Sequence, residues 1–309
     1  MTRDRINTTV ETSEQTYSIK GSIFIDITVF GDCAAIRASQ SLQELTISDT
    51  DFFNLVASNY TIGYFSGTST SVFTFQRICS FRCTAENQYA TILSNTTGSQ
   101  TLQTSTFTQS KSPKFAGPEL ERGIHLIEGI NSSYSSSQSS SGLDSDFALQ
   151  GSLLKYNHMH RCSGKYGRIL SVHHGSSNRT IEYINIVNNN CNNDKLLSTN
   201  GYNHFKECLF LNNNDIHFAD SNTGSTIVIE NCFFDSIIPS QNYSPIVTII
   251  GSRDTHLNTF LPRYIQPCYK TYGFEPRNND FFLFLQIYAH LDYSSSIVRV
   301  HFGSLRSPK

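Results

Sequence analysis

One short phrase recurs nine times along the chain: an apolar residue, two spacers, a small or apolar residue, one spacer, and in most copies an aromatic or aliphatic residue. The phrases open at Ile19, Ile47, Gln76, Leu102, Ile127, Leu154, Ile181, Phe205 and Ile229, in steps of 28, 29, 26, 25, 27, 27, 24 and 24 residues. The last three are the most regular: Ile181-x-x-Ile184-x-Ile186, Phe205-x-x-Cys208-x-Phe210 and Ile229-x-x-Cys232-x-Phe234. A period in the twenties restricts the fold to a solenoid, because one unit cannot bury its own apolar face and must stack on the next.

The fourth and sixth positions of the phrase are two apart, which is the period of a strand, so both side chains face the same way. Apolar residues three and four apart, the mark of helical repeats, are absent. β-Branched residues fill the phrases, as in Thr226-Ile-Val-Ile-Glu, and Gly, Asn and Ser fill the gaps. Further strand-like runs begin at Ala90, Gly167 and Lys195, which predicts at least two strands per turn. Asn188-Asn189-Asn190 and Asn212-Asn213-Asn214 lie 24 residues apart and hence in register. They predict an amide ladder at a corner, where Asn tolerates the left-handed backbone. The Ser-rich run from Asn131 to Gly142 reads as a flexible loop. The expected organisation is a polar tail over residues 1–16, a solenoid over 17–252, and a C-terminal cap or tail over 253–309 that shields the end of the coil.

With 23 basic and 25 acidic residues the chain lacks the electrostatic footprint of a nucleic-acid partner. No signal peptide or membrane span is visible in it, so it reads as soluble. Eight cysteines are too sparse for a disulfide scaffold, and Cys79-x-x-x-Cys83 lacks a second pair at zinc spacing. Cys208 and Cys232 fit the buried column as small apolar side chains. Neither a cofactor nor a metal is implied.

The 24-residue phrases, the Asn corners and the Gly31-Asp32-Cys33-Ala34-Ala35-Ile36 segment resemble the right-handed parallel β-helix (pectin-lyase-like) proteins. Ile78-Cys79-Ser80-Phe81-Arg82-Cys83 with Gln88-Tyr89, and Glu230-Asn231-Cys232-Phe233-Phe234, resemble the large uncharacterised β-helix families of parasitic flagellate protists. The resemblance spans about residues 17 to 252. It implies an all-β, right-handed parallel β-helix of about nine coils and an extracellular or cell-surface location. Six Asn-x-Ser/Thr sequons, at Asn7, Asn59, Asn95, Asn131, Asn178 and Asn242, agree with that location.

β-Helix enzymes resembling polygalacturonases or pectate lyases set acidic and basic groups side by side on one outer sheet. If the fourth and sixth positions face inward, the third and fifth face outward. The third-position column is then Gly21, Asp49, Ile78, Thr104, Gly129, Tyr156, Tyr183, Glu207 and Asn231. The fifth is Ile23, Asp51, Ser80, Thr106, Asn131, His158, Asn185, Leu209 and Phe233. Asp49 and Asp51 share a rung without a charged neighbour in these columns, so no carboxylate pair suited to glycoside hydrolysis is present on this face. His158 and His160 read as a surface pair, with His173 and His174 nearby in sequence. No catalytic residue is assigned. The candidate binding stripe is Tyr156, His158, Tyr183, Asn185 and Glu207, aromatic faces beside amide and carboxylate groups that suit a sugar or a protein. The preferred function is a non-catalytic surface or interaction protein that binds glycans or host and matrix proteins. The alternative is a carbohydrate-active enzyme, a polysaccharide lyase or glycoside hydrolase, which a carboxylate cluster on another outer face would favour.

Overall fold

A computed structural model of the protein describes residues 4–165, 168–174, 178–192, 195–214, 217–221, 225–234 and 246–252. Over these residues the chain is a right-handed parallel β-solenoid of about eight turns, close to the nine coils expected, and no helix occurs among them. The expected C-terminal cap over 253–309 lies outside the described residues.

Each coil supplies strands to three parallel sheets. The first sheet contains the phrase openings, for example Leu42–Ser48, Ser99–Gln103, Ile124–Glu128 and Tyr202–Lys206. The second carries the phrase ends, from Ser22–Ile25 through Asp51–Phe53 and His158–His160 to Leu209–Leu211. The third runs through Ile92–Asn95, Glu119–Glu121, Leu143–Ala148, Leu170–His174 and Lys195–Thr199. The strand Gly63–Gln76 joins the third sheet at its start to the first at its end. Asp4–Ile6 pairs with Ser22–Phe24 and Val10–Thr12 with Ile36–Ala38, so part of the stretch read as a polar tail adds a rung to the coil.

The phrase openings form one interior column: Ile19, Ile47, Phe75, Leu102, Ile127, Leu154, Ile181, Phe205 and Ile229, each in register with the next and all buried. The third phrase therefore opens at Phe75 and not at Gln76, and the steps around it are 28 and 27 rather than 29 and 26. Cys79 and Phe81 imitate the phrase one residue late, while Ile78 and Ser80 hold the inward positions. Arg77 thus replaces Ile78 in the third-position column, and Cys79 replaces Ser80 in the fifth. The shift corrects a second expectation. Arg77 Nε lies 2.5 Å from Asp49 Oδ1 and Nη2 lies 2.8 Å from Oδ2, so Asp49 has a charged neighbour.

The third-position column is the corner between the first and second sheets. All nine of its residues have φ between 49° and 68°, though only Gly21 and Gly129 are glycine. A left-handed side chain is disfavoured by roughly 1–2 kcal/mol. The corner N–H offsets this by donating to the strand-end carbonyl of the next coil, as in Asp49 to Gln76 (3.1 Å), Tyr156 to Glu182 (3.1 Å) and Glu207 to Glu230 (2.9 Å).

The Asn ladder forms as expected. Asn189 Nδ2 donates to Asn213 Oδ1 at 3.0 Å, and the two side chains also satisfy Cys162 N and the Ile186 carbonyl. Cys208 and Cys232 are buried free thiols, and Cys208 N donates to Cys232 Sγ. The Ser-rich run is not a loop. Asn131–Ser133 and Ser136–Ser137 are strands, and Ser132, Ser135 and Ser141 are fully buried. Some of these hydroxyls bond within the coil, Ser133 Oγ with Thr108 Oγ1 and Ser135 Oγ with the Ser133 carbonyl, whereas Ser132, Ser137 and Ser141 Oγ have no hydrogen-bond partner among the described residues. The sequon Asn131 is buried in the same run.

The interior also contains charge. Gln100 pairs with His125 and Arg179 with Asn203 on the inner side of the first sheet. His125 bonds Ser145 Oγ at 2.7 Å and the Arg122 carbonyl, and burial lowers its pKa to about 3. Arg179 is 3% exposed, and none of its three side-chain nitrogens has a hydrogen-bond partner among the described residues.

Candidate functional site

The corner gathers three of the five residues of the expected binding stripe. Tyr156 and Tyr183 stack at 5.1 Å and 7°, with Lys155 Nζ 5.4 Å from the Tyr156 ring centroid. Glu207 follows in the same column and accepts from Asn231 Nδ2 at 3.2 Å. The other two, His158 and Asn185, lie on the outer side of the second sheet yet are buried, at 3% and 6% exposure. His158 stacks on His160, also buried, so these two do not form a surface pair. Burial first and His160 second lower the His158 pKa to about 3, which keeps its ring neutral.

A different constellation forms on the outer side of the third sheet. Glu119 and Asp144 are partners on adjacent rungs, and so are Glu121 and Asp146. Strand spacing places each such pair of backbones about 4.8 Å apart, and residues two apart along a strand about 7 Å apart. Four carboxylates therefore form a two-by-two block. Glu119 and Asp144 are each 2% exposed, whereas Glu121 and Asp146 are half-buried. Ser140 Oγ donates to Asp144 Oδ1 at 2.9 Å, Asn95 Nδ2 to Glu121 Oε2 at 2.6 Å, and Ser171 Oγ to Asp146 Oδ1 at 3.2 Å. Among the described residues His173 alone comes within ion-pair distance of the block, its Nδ1 3.2 Å from Asp146 Oδ1 and its Nε2 held 2.9 Å from Ser198 Oγ.

Burial and mutual repulsion perturb these acids. The Asp144 carboxyl is pushed up to about 7, first by burial and then by Asp146. Glu119 is raised well above the usual carboxylate range by burial and then by Asp144, and its Oε2 has no hydrogen-bond partner among the described residues. Glu121 is raised by burial and then by Asp146. Like charges this close cannot all ionise without penalty, and the buried members Glu119 and Asp144 bear the larger share of it.

Beside the block stands a ladder of rings. Tyr60, Tyr89 and Phe115 occupy one bridged column that continues to Ser140. Their centroids are 5.4 and 4.9 Å apart, and Tyr64 stacks on Tyr60 at 5.4 Å. Tyr60, Tyr89 and Phe115 are half-buried and Tyr64 is 37% exposed. After burial, Glu119 and Glu121 are the next causes of a raised Tyr89 hydroxyl pKa, followed by Tyr60 and then Asp144, which ties the ladder electrostatically to the block. Close packing of rungs holds the two together: a Cβ on Gly117 would stand 1.9 Å from the Gly142 carbonyl oxygen.

This face escaped the reading of the phrase because only the phrase's own spacers were followed. The signal was present. Tyr60, Tyr89, Phe115 and Ser140 each fall 13 or 14 residues after a buried phrase opening, and Glu119 and Asp144 fall 17 after theirs. Among the described residues no group of three His, Cys, Asp or Glu side chains is arranged to hold a metal ion. No helix of the described residues is long and apolar enough to cross a membrane. No protein-family model, curated protein or solved structure matches the chain.

Proposed function

We propose that the protein is a glycan-binding β-solenoid that receives an extended saccharide along its third sheet. The observation that carries this reading is the half-exposed stack of Tyr64, Tyr60, Tyr89 and Phe115 running into the carboxylate block. The rings of the ladder lie face to face, so their edges and the tyrosine hydroxyls line the path of a saccharide, and the outer carboxylates Glu121 and Asp146 accept from sugar hydroxyl or amino groups. Charge narrows the class. The outer carboxylates Glu121 and Asp146 repel uronate chains, so the ligands are neutral or amino-sugar polymers rather than pectin-type ones.

A second reading, glycosidic-bond hydrolysis, is favoured by one observation: a buried acid raised to about 7, Asp144, stands beside the half-buried Glu121 and Asp146. Proton donor and base of that kind, roughly 5 to 9.5 Å apart, are what glycoside hydrolysis requires. A panel of neutral, amino-sugar and uronate oligosaccharides, read by calorimetry and by release of reducing ends, separates the readings. Binding of neutral or amino sugars without release supports the binding protein. Release that disappears in Asp144→Asn supports the hydrolase. A preference for uronates would contradict both.

A further inference from the structure

At the edge of the acidic block the third sheet brings together an acid, an imidazole and a hydroxyl. Asp146, His173 and Ser198 come from three successive coils, on the paired strands Leu143–Ala148, Leu170–His174 and Lys195–Thr199. His173 Nδ1 lies 3.2 Å from Asp146 Oδ1, and its Nε2 lies 2.9 Å from Ser198 Oγ. A carboxylate at Nδ1 selects the tautomer: Nδ1–H donates to Asp146, and the Nε2 lone pair accepts from the Ser198 hydroxyl. Ser171 Oγ donates to the same Asp146 oxygen at 3.2 Å. A bulge brings Asp146 to the ring. Ser145 stands opposite Val172 and Ala148 opposite His174, so Asp146 and Phe147 both face His173, and such a bulge re-aims side chains. Phe147 has φ 52°, a costly backbone for a bulky residue, and is 56% exposed beside the imidazole. The interior His125 makes a useful contrast. It also bonds a serine, Ser145, but its other nitrogen meets the Arg122 carbonyl in place of a carboxylate.

We propose that Ser198 is a nucleophile, with His173 as its general base and Asp146 orienting that base, and that the three hydrolyse an acyl ester carried on a saccharide hydroxyl. The sugar half of this substrate rests on the glycan-binding reading, whereas the acyl half does not. Nucleophile, base and orienting carboxylate within hydrogen-bond reach of one another are the elements that activate a serine. Ser198 Oγ adds to the ester carbonyl carbon as its proton passes to His173 Nε2. The tetrahedral intermediate then breaks its C–O bond to the sugar, whose oxygen takes that proton and leaves as an alcohol, with the acyl group now on Ser198. Water adds to the acyl carbon and gives a proton to Nε2. Cleavage of the Ser198 ester releases the carboxylic acid and returns the proton to Oγ. Ester and water thus become acid and alcohol, and Asp146 stays ionised throughout. Ser198 is 3% exposed and the His173 side chain 22%, so the carbonyl reaches Oγ along the edge of the imidazole. That narrow approach restricts the acyl group to a small one such as acetyl.

The test treats the unaltered chain with a small fluorophosphonate, which phosphonylates activated serines, and maps the adduct by peptide mass spectrometry. A single adduct on Ser198 is the expected result, together with hydrolysis of p-nitrophenyl acetate and release of acetate from an O-acetylated neutral oligosaccharide. His173→Gln should slow labelling and both hydrolyses by at least about a hundredfold, the share that a general base contributes. Because the adduct is located on the unaltered chain, its position decides the matter even where His173→Gln folds poorly. An unlabelled Ser198, as a purely structural Ser–His contact would give, or an adduct on another serine would overturn the proposal. Labelled Ser198 with hydrolysis of the nitrophenyl ester but no acetate from the oligosaccharide would overturn the sugar as substrate, and so separates failure of the glycan reading from failure of the nucleophile.

Discussion

Replacing Asp144 by Asn should stabilise the protein at pH 8 and have a much smaller effect at pH 4.5. Asp144 has an ordinary pKa of 3.8 and is pushed up to about 7 in the fold, so the native state holds its proton where the unfolded chain has released it. A raised carboxyl contributes full stability below its unfolded pKa and loses it as pH climbs through the folded value. The displacement of about three pH units corresponds to roughly 4 kcal/mol of stability lost by pH 8, and to about 1 kcal/mol or less at pH 4.5. Asn keeps an acceptor for Ser140 Oγ and removes a like charge from beside Glu119, whose own pKa is raised by Asp144. The difference between variant and parent is the quantity to measure. His125 and His158 titrate in the opposite sense, since their lowered pKa values give stability that is present above about pH 6.5 and lost on acidification toward about 3. Guanidinium denaturation of both proteins at pH 4.5, 6 and 8 should give a midpoint difference that grows with pH in favour of Asp144→Asn. A difference that is flat with pH, or a variant less stable at pH 8, would refute the account of the block as crowded acids.

Two further substitutions probe the scaffold. Arg179→Met replaces a buried guanidinium that has no hydrogen-bond partner among the described residues, and should leave the melting temperature unchanged or raise it, with a gain of roughly 1–4 kcal/mol; a clear loss by thermal denaturation would reveal a partner for that charge. Gly117→Ala forces a methyl group onto the Gly142 carbonyl and should cost about 3 kcal/mol or more, seen as a lowered unfolding midpoint, whereas a neutral result would mean that the rungs at the block can separate freely.

The residues that point inward were legible because repetition amplifies them. Each interior position of the phrase is read nine times, and even a single misplaced copy at Gln76 left the solenoid unmistakable. That one-residue slip nevertheless hid the pairing of Arg77 with Asp49, since the side-chain period of a strand is two and an error of one exchanges inside for outside. The Ser-rich run misled for a different reason. Polarity does not imply solvent exposure, because small hydroxyl side chains such as Ser133 and Ser135 can bond to neighbouring hydroxyls and carbonyls inside the coil. The acidic and aromatic face repeats over only a few coils, Glu119 and Glu121 answered by Asp144 and Asp146, so it lacks the ninefold amplification and emerges only when the rungs are aligned. Burial of His158 and Asn185 was not legible at all, because a strand pattern distinguishes its two sides without saying whether the outer one is covered.

The assignment of glycan binding to the third sheet is tested most directly by titrating an oligosaccharide selected from the neutral and amino-sugar panel into Tyr89→Ala and, separately, into Tyr156→Ala. Loss of one ring from the ladder should weaken binding about tenfold, or roughly 1.4 kcal/mol, while the corner variant binds like the parent. Unchanged affinity in Tyr89→Ala with a loss in Tyr156→Ala would contradict the account and return the binding surface to the corner of Tyr156, Tyr183 and Glu207.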